Sequence, residues 1–189
     1  GAEIAQGHNS AFVDKRNRSF VVYHTRFSNG GEGHQVRVHQ LFLNDEGWLM
    51  AAPFEFDGET ITDEAIASKA SIADADIAGD YQFMRHQYGQ NTKAKAFETP
   101  VNITLNADGT ITGAEKGTWK RTAGTDYIHL TINNVVYRGV LVKQTVDYTN
   151  IPAIAISALS SSSGSLTMGQ NNFTYQQEVW AVKADAKAA

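Results

Sequence analysis

The chain has 189 residues, 16 Lys and Arg against 20 Asp and Glu, and a formal net charge of −4. That balance, with Lys and Arg dispersed, leaves no basic stripe to neutralise phosphates and argues against nucleic acid or an anionic membrane as partner. With no cysteine, disulfide and thiolate chemistry are excluded, and no apolar run approaches the ~20 residues that span a bilayer.

In chain order, residues 11–13 read as a first strand, closed by a turn at 14–18, and 19–25 as a second. A Gly-rich loop at 29–33 leads to a third strand at 35–43. A turn at 44–47 then feeds a fourth at 48–52, before Pro53. Period-two alternation bounded by Gly, Asn and Asp predicts antiparallel pairing. Four strands with short turns match one propeller blade in size. A lone blade cannot bury both faces, so residues 1–57 are expected to need partners. Residues 58–76 read as a linker with a helical turn at 63–68.

Strand rhythm resumes near residue 77. Strands are expected at 79–86, 101–105, 110–112, 117–121, 127–132, 135–143, 154–158 and 173–182, with a hairpin turn at 106–109. This spacing predicts an all-β barrel or sandwich over 77–184. A flexible Ser-rich loop tip is expected at 160–164 and a tail at 185–189. The opening Gly1 and the lack of a signal-peptide pattern read as a processed, trimmed or engineered product.

The chemistry-bearing residues concentrate at the N-terminal end, where His8, His24, His34 and His39 fall with Arg26 and Arg37. His8, between Gly7 and Asn9 just before the first expected strand, either caps a turn or contacts a metal or substrate. A self-contained zinc site is not indicated, because no second ligand follows at helical or strand spacing. Alternation puts His24 and Arg26 on one strand face, Tyr23 and Thr25 on the other. His34, Val36 and Val38 share a face, as do Arg37 and His39. Arg37 is expected to pair with a carboxylate. The His and Arg strands could alternatively line a groove for a sugar or an anion.

Asp45, Glu46, Asp108 and Asp126 fall in turns, and Glu55 and Asp57 border Pro53 and Gly58. None has the apolar setting that raises an acid's pKa, so no glycosidase-like acid and base pair emerges. Ser10 and Ser19 lack a nucleophile elbow. The aromatics of the second segment, Tyr81, Phe83, Trp119, Tyr127, Tyr137, Tyr148, Tyr175 and Trp180, read mainly as core packing, with a carbohydrate platform as the sharper alternative.

The segments GHNS at 7–10, YHTRF at 23–27, HQVRVHQL at 34–41 and GWLMAAPF at 47–54 resemble the last part of the catalytic domain of glycoside hydrolase family 43 endo-arabinanases. GDY at 79–81 and the β-rich remainder resemble the accessory C-terminal domain of the two-domain members. The resemblance implies an all-β chain: the final blade of a five-bladed β-propeller over 1–57, followed by an antiparallel β-barrel accessory domain. It implies inverting hydrolysis of α-1,5-arabinan by three carboxylates on earlier blades, so that this chain alone is expected to be inactive. It also matches His8 to the family's calcium-site histidine, the other ligands there being largely water. The implied partners are an N-terminal propeller polypeptide and arabinan, and the implied location is extracellular. The alternative is a non-catalytic β domain that binds polysaccharide or only supports the propeller.

Overall fold

The computed structural model describes residues 3–27, 33–58, 67–86, 99–168 and 171–184, with side chains described over 6–27, 33–58, 67–86, 99–161 and 176–183. The expected helical turn at 63–68 falls mostly outside these residues, and the tail at 185–189 falls wholly outside them.

Four antiparallel strands, β1 (Glu3–Val13), β2 (Ser19–Phe27), β3 (His34–Leu43) and β4 (Leu49–Ala51), form one sheet in sequential order. The β1–β2 and β3–β4 turns share one design. Asp14 Oδ1 accepts the N–H groups of Arg16 and Arg18, each at 2.9 Å, while Asn44 Oδ1 accepts those of Glu46 and Trp48 at 3.0 and 2.9 Å. In each, the fourth residue takes the left-handed region, Asn17 at φ 59° and Gly47 at φ 82°. The 106–109 turn repeats that conformation at Gly109, φ 85°.

The first strand is longer than the sequence suggested. It begins at Glu3, so His8 lies inside β1 and not just before it. The apolar alternation starts only at residue 11, and the upstream half is held by ladder pairing to β2 that local composition does not reveal.

Eight further strands follow: β5 (Gly79–Arg85), β6 (Val101–Leu105), β7 (Thr110–Gly113), β8 (Gly117–Arg121), β9 (Tyr127–Ile132), β10 (Val135–Thr145), β11 (Pro152–Met168) and β12 (Asn171–Ala184). Each pairs antiparallel with its sequence neighbour, and β12 pairs with β5 to close the barrel. Of the two architectures the strand spacing allowed, this is the barrel. The expected loop tip at 160–164 is instead strand, part of the long β11–β12 ribbon, with a register shift between Leu159 and Ser163. Ser160 pairs with Tyr137 on β10 and Ser163 with Gln176 on β12, whatever the loop propensity of the run.

Alternation along these strands sends Tyr81, Phe83, Ile103, Leu105, Ile128, Leu130, Ile132, Leu141 and Ile156 inward, each 2% exposed or less. An eight-stranded barrel is just wide enough for such side chains to fill. Closure also needs small residues. A Cβ on Gly139 would lie 2.3 Å from the Ser157 carbonyl oxygen and 2.5 Å from Ala158 Cβ. Gly139→Ala is therefore expected to cost about 1–3 kcal/mol in urea denaturation, and a wild-type midpoint would show that β10 and β11 do not approach this closely.

A plug closes one barrel end. Ile72 and Ile77, the latter in the short helix α1 (Asp74–Ile77), pack onto the core, although 58–76 reads as linker in the sequence. Arg121 holds the plug by donating to Ile72 O and Asp74 Oδ1, both at 2.7 Å, and to Asp126 Oδ1 at 2.7 Å. Asp126 Oδ2 accepts Ser71 N–H at 2.8 Å and its hydroxyl at 2.6 Å. At the opposite end, Arg85 pairs with Glu115 at 2.9 Å and donates to Tyr137 Oη at 2.5 Å.

The four-stranded sheet docks on the outside of the barrel. Phe42, Met50 and Ala52 bury themselves against Val140, Val142 and Ala155, the outward residues of β10 and β11. Polar bonds frame this contact. Gln144 grips the Phe54 backbone twice, accepting its N–H at 3.1 Å and donating to its carbonyl at 2.9 Å. Asp45 pairs with His129 at 2.6 Å and Arg138 at 3.1 Å, and Glu46 pairs with Arg138 at 2.9 Å.

Candidate functional site

The N-terminal histidines separate onto two faces, as alternation predicts. Gly7 pairs with His24 and Arg26 with His34, and a register shift between Gly7 and Ser10 makes a bulge that contains His8. His8 sits there at φ 49°, a left-handed conformation that a non-glycine residue adopts only where its surroundings enforce it. The bulge re-aims the side chain, and its ring stands 5.2 Å from that of His24, which is in turn 5.0 Å from His34. Three imidazoles thus form a row across β1, β2 and β3, with His8 and His34 exposed and His24 half-buried.

Desolvation lowers the His24 pKa, and the neighbouring His34, His8 and Arg26 lower it further. His24 is therefore neutral at pH 7 and available as an acceptor. In a proton NMR titration of the metal-free chain, its imidazole is expected to titrate below the usual ~6.5. His34→Gln should raise it by removing one repelling charge; a titration that ignores His34 would contradict the row.

The other face is structural. His39 is buried, with Nδ1 2.8 Å from Ala52 O and Nε2 3.1 Å from Tyr23 Oη. Arg37 pairs with Glu55 at 3.0 Å, the carboxylate partner the sequence suggested. Arg37 and His39 therefore do not belong to the exposed row. The remaining carboxylates are engaged too. Asp45 and Glu46 pair with the barrel, Asp126 holds Arg121, and Asp108 has its pKa lowered by the Thr110 hydroxyl and N–H. Among the described residues no group of three or more His, Asp or Glu is arranged to hold a metal ion.

Of the aromatics read as core, Tyr81, Phe83 and Tyr137 are buried, Trp119 and Tyr127 are partly so, and Tyr148 is 84% exposed in the β10–β11 turn. The Tyr175 side chain falls outside the described residues. Trp180 faces outward on β12, opposite Met84. Strand parity relative to the inward Val179 and Ala181 is the signal for that. No described helix is long and apolar enough to cross a membrane.

Residues 53–169 match the family model of the GH43 C-terminal lipocalin-like domain. Over 146 residues, 75% of this chain and 28% of the relative, the sequence is 43% identical to an extracellular endo-α-(1→5)-L-arabinanase of Thermotoga petrophila. Over 160 residues, 84% of this chain and 32% of the relative, it is 38% identical to extracellular endo-α-(1→5)-L-arabinanase 2 of Bacillus subtilis. The chain thus spans about three tenths of the length of these curated relatives. The fold superposes on the crystal structure of the Thermotoga petrophila endo-1,5-α-L-arabinanase with a TM-score of 0.75 and 36% identity, covering 97% of this chain and 37% of that one. A family 43 glycoside hydrolase of Bacillus licheniformis gives a TM-score of 0.73 and 34% identity over 95% of this chain and 35% of that one. The lipocalin-like barrel seen here and the matched residues agree, and the chain belongs to the family of glycoside hydrolase family 43 C-terminal lipocalin-like domains.

Proposed function

We propose that this chain is the C-terminal portion of a secreted endo-1,5-α-L-arabinanase, in which β1–β4 complete a β-propeller and the barrel braces it from outside. The observation that carries this reading is the superposition on an endo-1,5-α-L-arabinanase, which extends over 97% of the chain and so includes the four-stranded sheet as well as the barrel. The sheet's histidine face supports it. Phe12 and Val36 are 48% and 66% exposed there, apolar area that a neighbouring blade would cover.

In this reading the acid and base carboxylates lie on residues outside this chain. One protonates the leaving oxygen and the other activates water on the opposite sugar face. This chain's contribution is positional. His8, exposed and re-aimed by its bulge, would supply a single nitrogen ligand to a calcium ion whose remaining ligands are mainly water. Such an ion would supply fixed positive charge beside His8. Neutral His24 packs against the His8 ring and limits its orientation.

Incubated alone with debranched arabinan, the 189-residue chain is expected to release no oligosaccharide, and the full-length enzyme to release it readily. Turnover by the chain alone would overturn the reading. In the full-length enzyme, His8→Ala should reduce bound calcium, measured by mass spectrometry of the metal, together with hydrolysis. Unchanged calcium content would remove His8 from the site.

A further inference from the structure

A cleft of about 530 Å³ opens between the barrel wall and Pro53 and Phe54, which follow β4. Its floor is the outer face of β12, β5 and β6, where two cross-strand rungs lie side by side: Trp180 opposite Met84, and Val182, Gln82 and Asn102 in line. Phe54 and Asp147 stand on the opposite wall. The volume lies within the range of small-ligand sites.

We propose that this cleft is a carbohydrate-binding site separate from the histidine row, and that it takes a neutral oligosaccharide, a stretch of α-1,5-arabinan. The identity of the sugar rests on the arabinanase reading above; the site itself rests on three features of the cleft.

The first is a fixed aromatic. The Trp180 indole N–H donates to Glu178 Oε1 at 3.0 Å, and the His86 ring packs edge-on against it at 4.2 Å and 74°. An indole held on two sides loses little freedom when a ring of sugar C–H groups stacks on it. The second is the charge. Among the described residues that line the cleft there is no Lys or Arg, whereas the carboxylates of Asp80 and Asp147 and the amides of Gln82 and Asn102 are there. That set repels phosphate and uronate and offers acceptors to hydroxyl donors. The third is rigidity. Both backbone groups of Phe54 are held by Gln144, and Asp147 Oδ1 accepts the Glu55 N–H at 2.9 Å, so the wall is set before a ligand arrives. A polymer held here would be retained while its cleavage site is elsewhere, which raises local substrate concentration without new chemistry.

The test is titration calorimetry of the 189-residue chain with linear arabinohexaose, with xylohexaose as a second probe. Arabinohexaose should bind, and Trp180→Ala should weaken it by about tenfold or more, the scale of losing one anchoring aromatic. The double variant Gln82→Ala with Asn102→Ala, whose side chains are exposed, should weaken it without risk to the fold. Trp48→Ala, 54% exposed on the β3–β4 turn, should bind as wild type. No binding of either sugar, or wild-type affinity in both site variants, overturns the proposal. Trp180-dependent binding of xylohexaose alone upholds the cleft and overturns arabinan as its ligand. Failure of the full-length enzyme to hydrolyse arabinan, with binding intact, sinks the arabinanase reading and leaves the site standing.

Discussion

Arg121→Ala is expected to lower the stability of the chain by about 3–5 kcal/mol, the cost of stranding a buried charge by removing its partner. Arg121 and Asp126 are 7% and 3% exposed at the side chain, and their 2.7 Å contact ties the plugged end of the barrel together. The same guanidinium donates to the carbonyls of Ile72 and Thr125. Its loss therefore leaves acceptors from two segments, the plug and the β8–β9 turn, without that donor. The charge pair itself is not the source of the stability. Replacing both partners by apolar residues of similar size should recover much of the loss, because the remaining desolvation penalty disappears with the charges. Asp74 is the internal control. It contacts the same arginine at 2.7 Å but is 91% exposed, so Asp74→Ala should change stability by less than about 1 kcal/mol. Urea denaturation at pH 7 of the three variants separates these cases. Equal losses for Arg121→Ala and Asp74→Ala would refute the assignment of the clamp to the buried pair.

Much of this architecture was legible because it is local. Asp14 and Asn44 announce their turns through short side chains that accept N–H groups two and four residues on, and Asn106, Asp108 and Gly109 announce the next hairpin. The parity of Tyr81 and Phe83, or of Ile128, Leu130 and Ile132, marks an inward face directly. What remained hidden depends on distant partners. Barrel and sandwich share the same strand rhythm and differ in whether β12 reaches back to β5, a pairing of Val179 with Arg85 across the whole domain. Ser160 reads as loop until its hydroxyl is seen to accept the Gln177 N–H at 2.8 Å from the partner strand. The histidine row was half visible. Alternation put His24 and Arg26 on one face, but only the bulge between Gly7 and Ser10 brings His8 against His24. The outward parity of Trp180 is readable from β12, while the cleft beside it arises from Phe54 and Asp147, far away in sequence.

Met50→Ala is expected to cost about 2–5 kcal/mol, the range for truncating a fully buried methionine, and to change how the chain unfolds. Met50 is 0% exposed at the centre of the contact between sheet and barrel, among Phe42, Ala52, Val140 and Ala155. A four-stranded sheet with Phe12, Val36 and Leu49 still in solvent has too little buried area of its own to persist, so its order comes from the barrel. The bonds around the rim do not replace the apolar centre, because Asp45, Glu46 and Arg138 are partly exposed pairs worth little individually. Single-tryptophan variants that keep either Trp48, on the sheet, or Trp119, in the barrel wall, report the two parts separately. In the parent chain their urea transitions should coincide, as one cooperative unit requires. With Met50→Ala the Trp48 transition should move to lower urea and precede that of Trp119. Separate transitions already present in the parent would mean that the barrel does not stabilise the sheet. Coincidence would make the lipocalin-like domain the scaffold on which His8, His24 and His34 keep their spacing.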